Sequence, residues 1–156
     1  MVAHDLKRQG HIVQINGPIL QVHLPGARNG EQVRIGEMGI VGEVISLQGE
    51  QATVQSYEQT DGVRPGESVQ GLGYPLSVEL GPGLLSGIFD GVQRPLKTIA
   101  ALSGDYIPRG LSVNALDREK VWHFVPDKAL ETGQLIDAGA LLGSVQETET
   151  IAHRIL

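Results

Sequence analysis

The chain has 156 residues, no cysteine and a formal charge of −6, which excludes a disulfide framework, a thiolate metal site and a cysteine nucleophile; with no basic cluster to focus on one face, a nucleic-acid backbone is excluded as partner too. Twenty-one glycines and eight prolines, spread along the chain, are what many short strands joined by tight turns require, so the composition points to a mostly β protein. The opening residues, Met1 to Arg8, hold no apolar core like that of a signal peptide and no later run approaches membrane-spanning length, so a cytoplasmic chain without membrane insertion is expected.

Residues 1–9 read as a flexible N-terminus. From His11 to Leu24 two apolar runs, Ile12–Ile15 and Ile19–Leu24, flank Asn16-Gly17-Pro18, a hairpin signal. Leu20, Val22 and Leu24 share one face at period two, which turns Gln21 and His23 to solvent. Ile40 to Leu47 follows, with Val41, Ile45 and Leu47 at alternating spacing and Glu43 interrupting them. Gln48-Gly49-Glu50 then turns the chain into the β-rich run Gln51–Tyr57, a second hairpin. A turn cluster, Thr60–Glu67, precedes the short run Ser68-Val69-Gln70. Five or six such strands predict a small closed β-barrel over residues 10–74, ending where Gly71-Leu72-Gly73-Tyr74-Pro75 reads as too rich in turn formers to extend a strand.

Residues 75–110 read as a connecting segment. Its apolar pieces, Leu84–Phe89 and Leu96–Leu102, are separated by Asp90-Gly91 and Arg94-Pro95, and the second is fit to begin a helix. Neither has an apolar partner of comparable size in this chain, so both are expected to belong to a larger domain, with self-association through Leu84, Leu85 and Phe89 the result. From residue 111 to 156 strand and turn return: Lys120–Val125 holds the only tryptophan, with Trp122 and Phe124 on one face of a small core. Two glycine turns around brief apolar strands then run from Glu131 to Val145. The chain stops at His153-Arg154-Ile155-Leu156 inside an alternating pattern, which reads as an end made within a longer protein.

Few residues invite chemistry. Gly81-Pro82-Gly83 fails as a phosphate cradle because Pro82 has no N–H and the spacing to Gly87 does not fit a dinucleotide fingerprint. The five histidines, His4, His11, His23, His123 and His153, show no pair at ligand spacing on one element, so no metal site is expected. Glu147 and Glu149 read as a solvated strand face, and Ser86 and Ser103 lack a nucleophile elbow or an activating histidine. Arg94, between Gln93 and Pro95 and after Asp90, either ties down its own loop or reaches a neighbouring protomer. Asp127-Lys128-Ala129 is similar to the tripeptide in which lipoyl and biotinyl carriers present their modified lysine. Lys128 is thus the alternative reading, weakened because the Gly133–Gly143 strands follow too closely.

The stretch Leu76-Ser77-Val78-Glu79-Leu80-Gly81-Pro82-Gly83-Leu84-Leu85, continuing through Ser86-Gly87-Ile88-Phe89-Asp90-Gly91-Val92-Gln93-Arg94-Pro95-Leu96, resembles the catalytic A subunit of V/A-type rotary ATPases. Gly10–Gly17, Ile40–Ile45 and Gln55–Thr60 are similar to that subunit's barrel. Ala115–Phe124 resembles the start of the insertion that separates it from its B partner and from F-type relatives. Asp61-Gly62-Val63-Arg64-Pro65 departs slightly, standing where the family more often has a serine first, in a turn that accepts either.

The resemblance implies a parent that couples ATP synthesis or hydrolysis to proton or sodium transport. In it, A and B subunits alternate in a ring held by a collar of barrels, peripheral to the membrane. Residues 111–156 would then be part of the outer bulge, a barrel-sandwich-like unit associated with the peripheral stalk, with Lys128 and Glu131 on its surface. Residues 75–110 would belong to the α/β nucleotide-binding domain, with Asp90, Gln93 and Arg94 as interface or loop-fixing residues. ATP and Mg²⁺ would bind beyond this segment. The Gly-rich loop ending in Gly-Lys-Ser/Thr is absent here, since Lys7, Lys97, Lys120 and Lys128 follow Leu, Leu, Glu and Asp, so no catalytic, cofactor-binding or metal residue carries over and the chain alone is expected to be inactive.

Overall fold

A computed structural model describes residues 8–156; the expected flexible start falls, up to residue 7, outside the described residues. Six strands, β1 (Arg8–Asn16), β2 (Ile19–His23), β3 (Glu31–Ile35), β4 (Ile40–Gln48), β5 (Gln51–Ser56) and β6 (Ser68–Pro75), close into a barrel in the order β1-β2-β5-β4-β3-β6. Every neighbouring pair is antiparallel, and β1 with β6 completes the circle from Arg8 opposite Gly71 to His11 opposite Ser68. Closure leaves no strand edge to recruit another chain.

The period-two reading of β2 is borne out: Leu20, Val22 and, just beyond the strand, Leu24 are buried. They meet Ile12, Ile35, Val44 and Val54 in one apolar core. On β4 the alternation breaks. The register with β5 shifts between Val44 and Ser46, which makes Ile45 the extra residue of a β-bulge. The buried set is therefore Ile40, Val41 and Val44, whereas Ile45 and Leu47 are exposed, correcting the expected face of Val41, Ile45 and Leu47. Glu43 lies opposite Gln32 and Gln55 and accepts the Tyr57 hydroxyl. That bond, with partial burial and the carboxylate's charge, pushes the Tyr57 hydroxyl up to about 12.

A second correction concerns residues 71–75, which continue β6 instead of ending it. Their glycines serve Glu31, a carboxylate 2 % exposed at the start of β3. Its Oε1 accepts from the Arg8 guanidinium at 2.9 Å and from the Gly73 N–H at 2.8 Å, and its Oε2 accepts from the Arg28 N–H at 2.9 Å. A Cβ on Gly71 would stand 2.6 Å from Oε1, so the strand can pass the buried carboxylate only as glycine. One acidic residue thereby ties β1, β3 and β6 together.

The chain divides into two compact units: the described residues up to Ser77 together with Ser103–Ser112, and Val78–Leu102 together with Val113–Leu156. Within the first, the returning segment is strapped to the barrel by Glu58. This carboxylate accepts the Val41 N–H at 3.3 Å and the Gly110 N–H at 2.9 Å, while the Arg109 guanidinium donates to the Asp61 carbonyl. In the second unit, helix α1 (Leu96–Ser103) follows Pro95 and buries Ile99; a proline at a helix entry costs no hydrogen bond.

Strands β7 (Phe124–Pro126), β8 (Gly143–Gln146) and β9 (Ala152–Ile155) form an antiparallel sheet in that order. Residues 120–123 and 131–142 carry no strand, so the expected strand at Lys120–Val125 shrinks to its last two residues plus Pro126, and the glycine turns after Glu131 are joined by irregular chain. Trp122 and Phe124 do not share a core face either. Trp122 packs over Gly83, with the Lys120 ammonium 4.0 Å from its ring centre, while Phe124 is exposed and lies against the Cβ position of Gly143. Leu85, Ile88 and Leu102 are exposed, whereas Leu84 and Phe89 are half-buried.

Candidate functional site

Asp90, Gln93 and Arg94 sit on one tight loop of the second unit. Backbone bonds at its base join the Asp90 N–H to the Arg94 carbonyl at 3.1 Å and the Leu96 N–H to the Ile88 carbonyl at 2.9 Å. Inside the loop Asp90 Oδ1 accepts the N–H groups of Val92 and Arg94 at 3.1 and 2.8 Å, and Oδ2 accepts the Arg94 Nε at 2.7 Å. Burial pushes the Asp90 carboxyl up, but the bonds from the Arg94 backbone and guanidinium and from Val92 outweigh it and hold the group below its ordinary value. Arg94 is thus engaged by its own loop, its side chain only 13 % exposed.

Gln93 adopts the left-handed backbone conformation, φ 61°, uncommon for a side chain of its size. Its amide compensates by clamping one distant residue at both ends: Oε1 accepts the Glu79 N–H at 2.6 Å and Nε2 donates to the Glu79 carbonyl at 2.7 Å. The Glu79 carboxylate in turn meets the Arg118 guanidinium. The four residues Glu79, Asp90, Gln93 and Arg94 therefore hold two loops in one fixed arrangement, a scaffold for recognition and not an acid–base pair.

Glu147 stands where a solvated strand face was expected, yet its side chain is 3 % exposed. It lies past the end of β8 and accepts the Gly83 N–H at 2.6 Å and the Leu85 N–H at 3.3 Å, with His153 Nδ1 at 3.3 Å. Donors that a phosphate at Gly81-Pro82-Gly83 would need are thus already taken by a carboxylate of the same unit. Burial pushes Glu147 up, but the bonds from Gly83, Leu85 and His153 outweigh it, and the group lies below its ordinary value of 4.5. A depressed native value means that the unfolded chain binds the proton more tightly. The contribution of Glu147 is therefore in place above about pH 4.5 and lost as pH falls through the lower native value. Glu147→Ala is expected to speed hydrogen exchange at the Gly83 amide by about tenfold or more at neutral pH, and acidification of the unaltered chain to reproduce the change; an unchanged rate at both would dissociate the carboxylate from the loop's order.

The remaining sequence candidates stay apart. Lys128 is exposed in the turn after β7, beside Asp127, whose Oδ1 accepts the Ala129 N–H at 2.8 Å; Glu131 is exposed, its N–H bonded to the Gln134 side chain at 3.1 Å. Ser86 is exposed, and the Ser103 hydroxyl donates to the Tyr106 carbonyl. His4 lies outside the described residues and His123 is exposed. His11 and His23, twelve residues apart, are brought together by the first hairpin, their ring centres 5.3 Å apart. Among the described residues no three His, Asp or Glu side chains are gathered as a metal set, and no helix is long and apolar enough to cross a membrane. The residues that order the molecule most, Glu31, Glu58 and Glu147, were missed from sequence; the signal available was glycine clustered at 71–73 and 81–83, read only as turns.

Comparison with known proteins covers the same two regions. Residues 12–73 match the model of the ATP synthase alpha/beta family, beta-barrel domain, and residues 113–156 match that of the ATP synthase alpha/beta subunit barrel-sandwich domain. Over 94 % of its length the chain is 52 % identical to the V-type ATP synthase alpha chain of Nitrosococcus oceani and 50 % identical to the A subunit of the A-type ATP synthase of Thermococcus onnurineus. The same share is 49 % identical to the corresponding A-type protein of Thermoplasma acidophilum. It spans 25 %, 25 % and 19 % of these relatives, about a quarter of their length or less.

Proposed function

We propose, since the chain belongs to the ATP synthase alpha/beta family, that it is the N-terminal part of the catalytic A subunit of a V/A-type ATP synthase, a machine coupling ATP synthesis or hydrolysis to proton or sodium transport. The observation that carries this reading is one barrel, closed through β1 and β6, in a chain about half identical to the A subunits of two A-type synthases and to a V-type alpha chain along nearly all its length.

In this reading the barrel, residues 10–74, takes its place beside B-subunit barrels in an alternating ring. Residues 75–110 lead into the nucleotide-binding domain, and the exposed Leu85, Ile88 and Leu102 are the surface which that domain covers. Residues 111–156 form part of the bulge, offering Lys128 and Glu131 to the peripheral stalk. Asp90, Gln93 and Arg94 act through the loop they hold. ATP and Mg²⁺ bind to the longer protein, which works in the cytoplasm at the membrane periphery, and this segment alone neither binds nor hydrolyses nucleotide, because it lacks the lysine-bearing loop that would carry the phosphates.

Light scattering of the chain, alone and mixed with the matching B-subunit barrel, tests the assembly role. A heteromeric complex is the expected result; unaltered separate species would overturn it. Calorimetry with Mg-ATP tests the second claim, with no saturable heat expected and micromolar binding contradicting it.

A further inference from the structure

The barrel's outer wall carries a pair of imidazoles that the proposed assembly role does not use. His11 on β1 and His23 on β2 are direct cross-strand partners, on the side opposite the buried Ile12 and Val22. Directly opposed residues of an antiparallel pair hold their Cβ atoms about 4.5–5.5 Å apart, so the backbone alone keeps the two rings together. Their centres are 5.3 Å apart and their planes tilted by 46°.

That separation has a chemical meaning. An ion about 2.0–2.1 Å from a ring nitrogen lies roughly 3.2 Å from the ring's centre, and two centres at this spacing then subtend roughly 110° at the ion, the angle of a tetrahedron. A third donor is close by: the Glu50 carboxylate, in the β4–β5 turn, has Oε2 at 3.8 Å from His23 Nε2 and is exposed enough to swing. Flanking positions across the neighbouring strands, Ser68 beside His11 and Gln51 beside His23, bring neither positive charge nor bulk against an incoming cation.

We propose that His11 and His23 form a two-imidazole site for Zn²⁺ on the barrel's outer wall, with Glu50 as third ligand and water as the fourth. Imidazole and carboxylate donors in a tetrahedral arrangement suit zinc over calcium or magnesium, which demand more oxygen ligands. The ion would join β1, β2 and the β4–β5 turn by bonds independent of the apolar core.

Calorimetric titration of the whole chain with Zn²⁺ near pH 7.5, where the imidazoles are neutral ligands, tests this. One equivalent is expected to bind. His11→Ala and His23→Ala each weaken binding by roughly tenfold or more, since losing even an outer partner of a metal ligand costs about 10–100-fold, and Glu50→Gln weakens it less. His123→Ala leaves it unchanged. Zinc should also shift the ring-proton resonances of His11 and His23 in the unaltered chain, a readout that needs no variant to fold. Absence of saturable binding, resonances that do not move, or an affinity indifferent to both histidine substitutions would overturn the site.

Discussion

Glu31→Ala is expected to cost the barrel about 3–5 kcal/mol, because it leaves the Arg8 guanidinium half of a buried ion pair without its counter-charge. The Arg8 side chain is 15 % exposed and that of Glu31 1 %, so water reaches neither group well enough to replace the partner. The same substitution takes the acceptor from the Arg28 and Gly73 N–H groups. Against a typical domain stability of about 5–15 kcal/mol, that is a large fraction of the whole. Chemical denaturation followed by circular dichroism measures it, and a loss below about 1 kcal/mol would show that solvent carries these groups as well as the carboxylate does. Glu31→Gln keeps an acceptor in the same shape and should cost less. Gly71→Ala probes the same carboxylate from the other side: its Cβ collides with Oε1 in the unaltered chain and should be better tolerated once Glu31 is alanine, a coupling that a double-mutant cycle isolates.

The second large effect lies in the apolar interior. Ile35→Ala should destabilise the barrel by about 2–5 kcal/mol, the transfer cost of the lost side-chain atoms plus that of the cavity left behind. Ile35 is fully buried, and its Cδ1 would lie 2.7 Å from a Cβ on Gly42, with the Gln55 carbonyl oxygen at 2.8 Å and Val54 Cγ1 at 3.1 Å. The glycine and the isoleucine are therefore complementary across β3 and β4. Gly42→Ala alone overpacks the interior, at a cost of about 1–3 kcal/mol. Combined with Ile35→Ala it should cost less than the sum, because one colliding atom is gone while the Gln55 carbonyl remains. Strict additivity in thermal or chemical denaturation would contradict this packing.

Much of the barrel was legible in the sequence because its early strands obey period two and its turns are marked by glycine. Ile19–Leu24 and Gln51–Ser56 needed little else. Reading failed where one residue serves a distant one. The bulge at Ile45 inverts the alternation that followed it, and nothing local announces an extra residue. Gly71 and Gly73 looked like punctuation, whereas they make room for and bind a carboxylate some forty positions earlier. Glu147 looked solvated because a strand face was assumed; its partners at Gly83 and Leu85 are more than sixty residues away. The loop of Asp90, Gln93 and Arg94 was found as a cluster from its charges, but the left-handed Gln93 and its hold on Glu79 depend on a chain segment that spacing does not connect. His11 and His23 were judged by separation along one element, a test that a hairpin defeats by folding twelve residues back on themselves.

The route of the chain through its two units carries a consequence for any attempt to take them apart. The backbone leaves the barrel's unit at Ser77 and rejoins it at Ser103, so the twenty-five residues between are a tethered loop and not a tail. Holding both ends of such a loop removes much of its freedom before any of its own contacts form, so the barrel lends order to Val78–Leu102. A protease that nicks this loop would leave the barrel intact but turn its strap, with the Glu58–Gly110 bond, from a covalent continuation into a docked peptide.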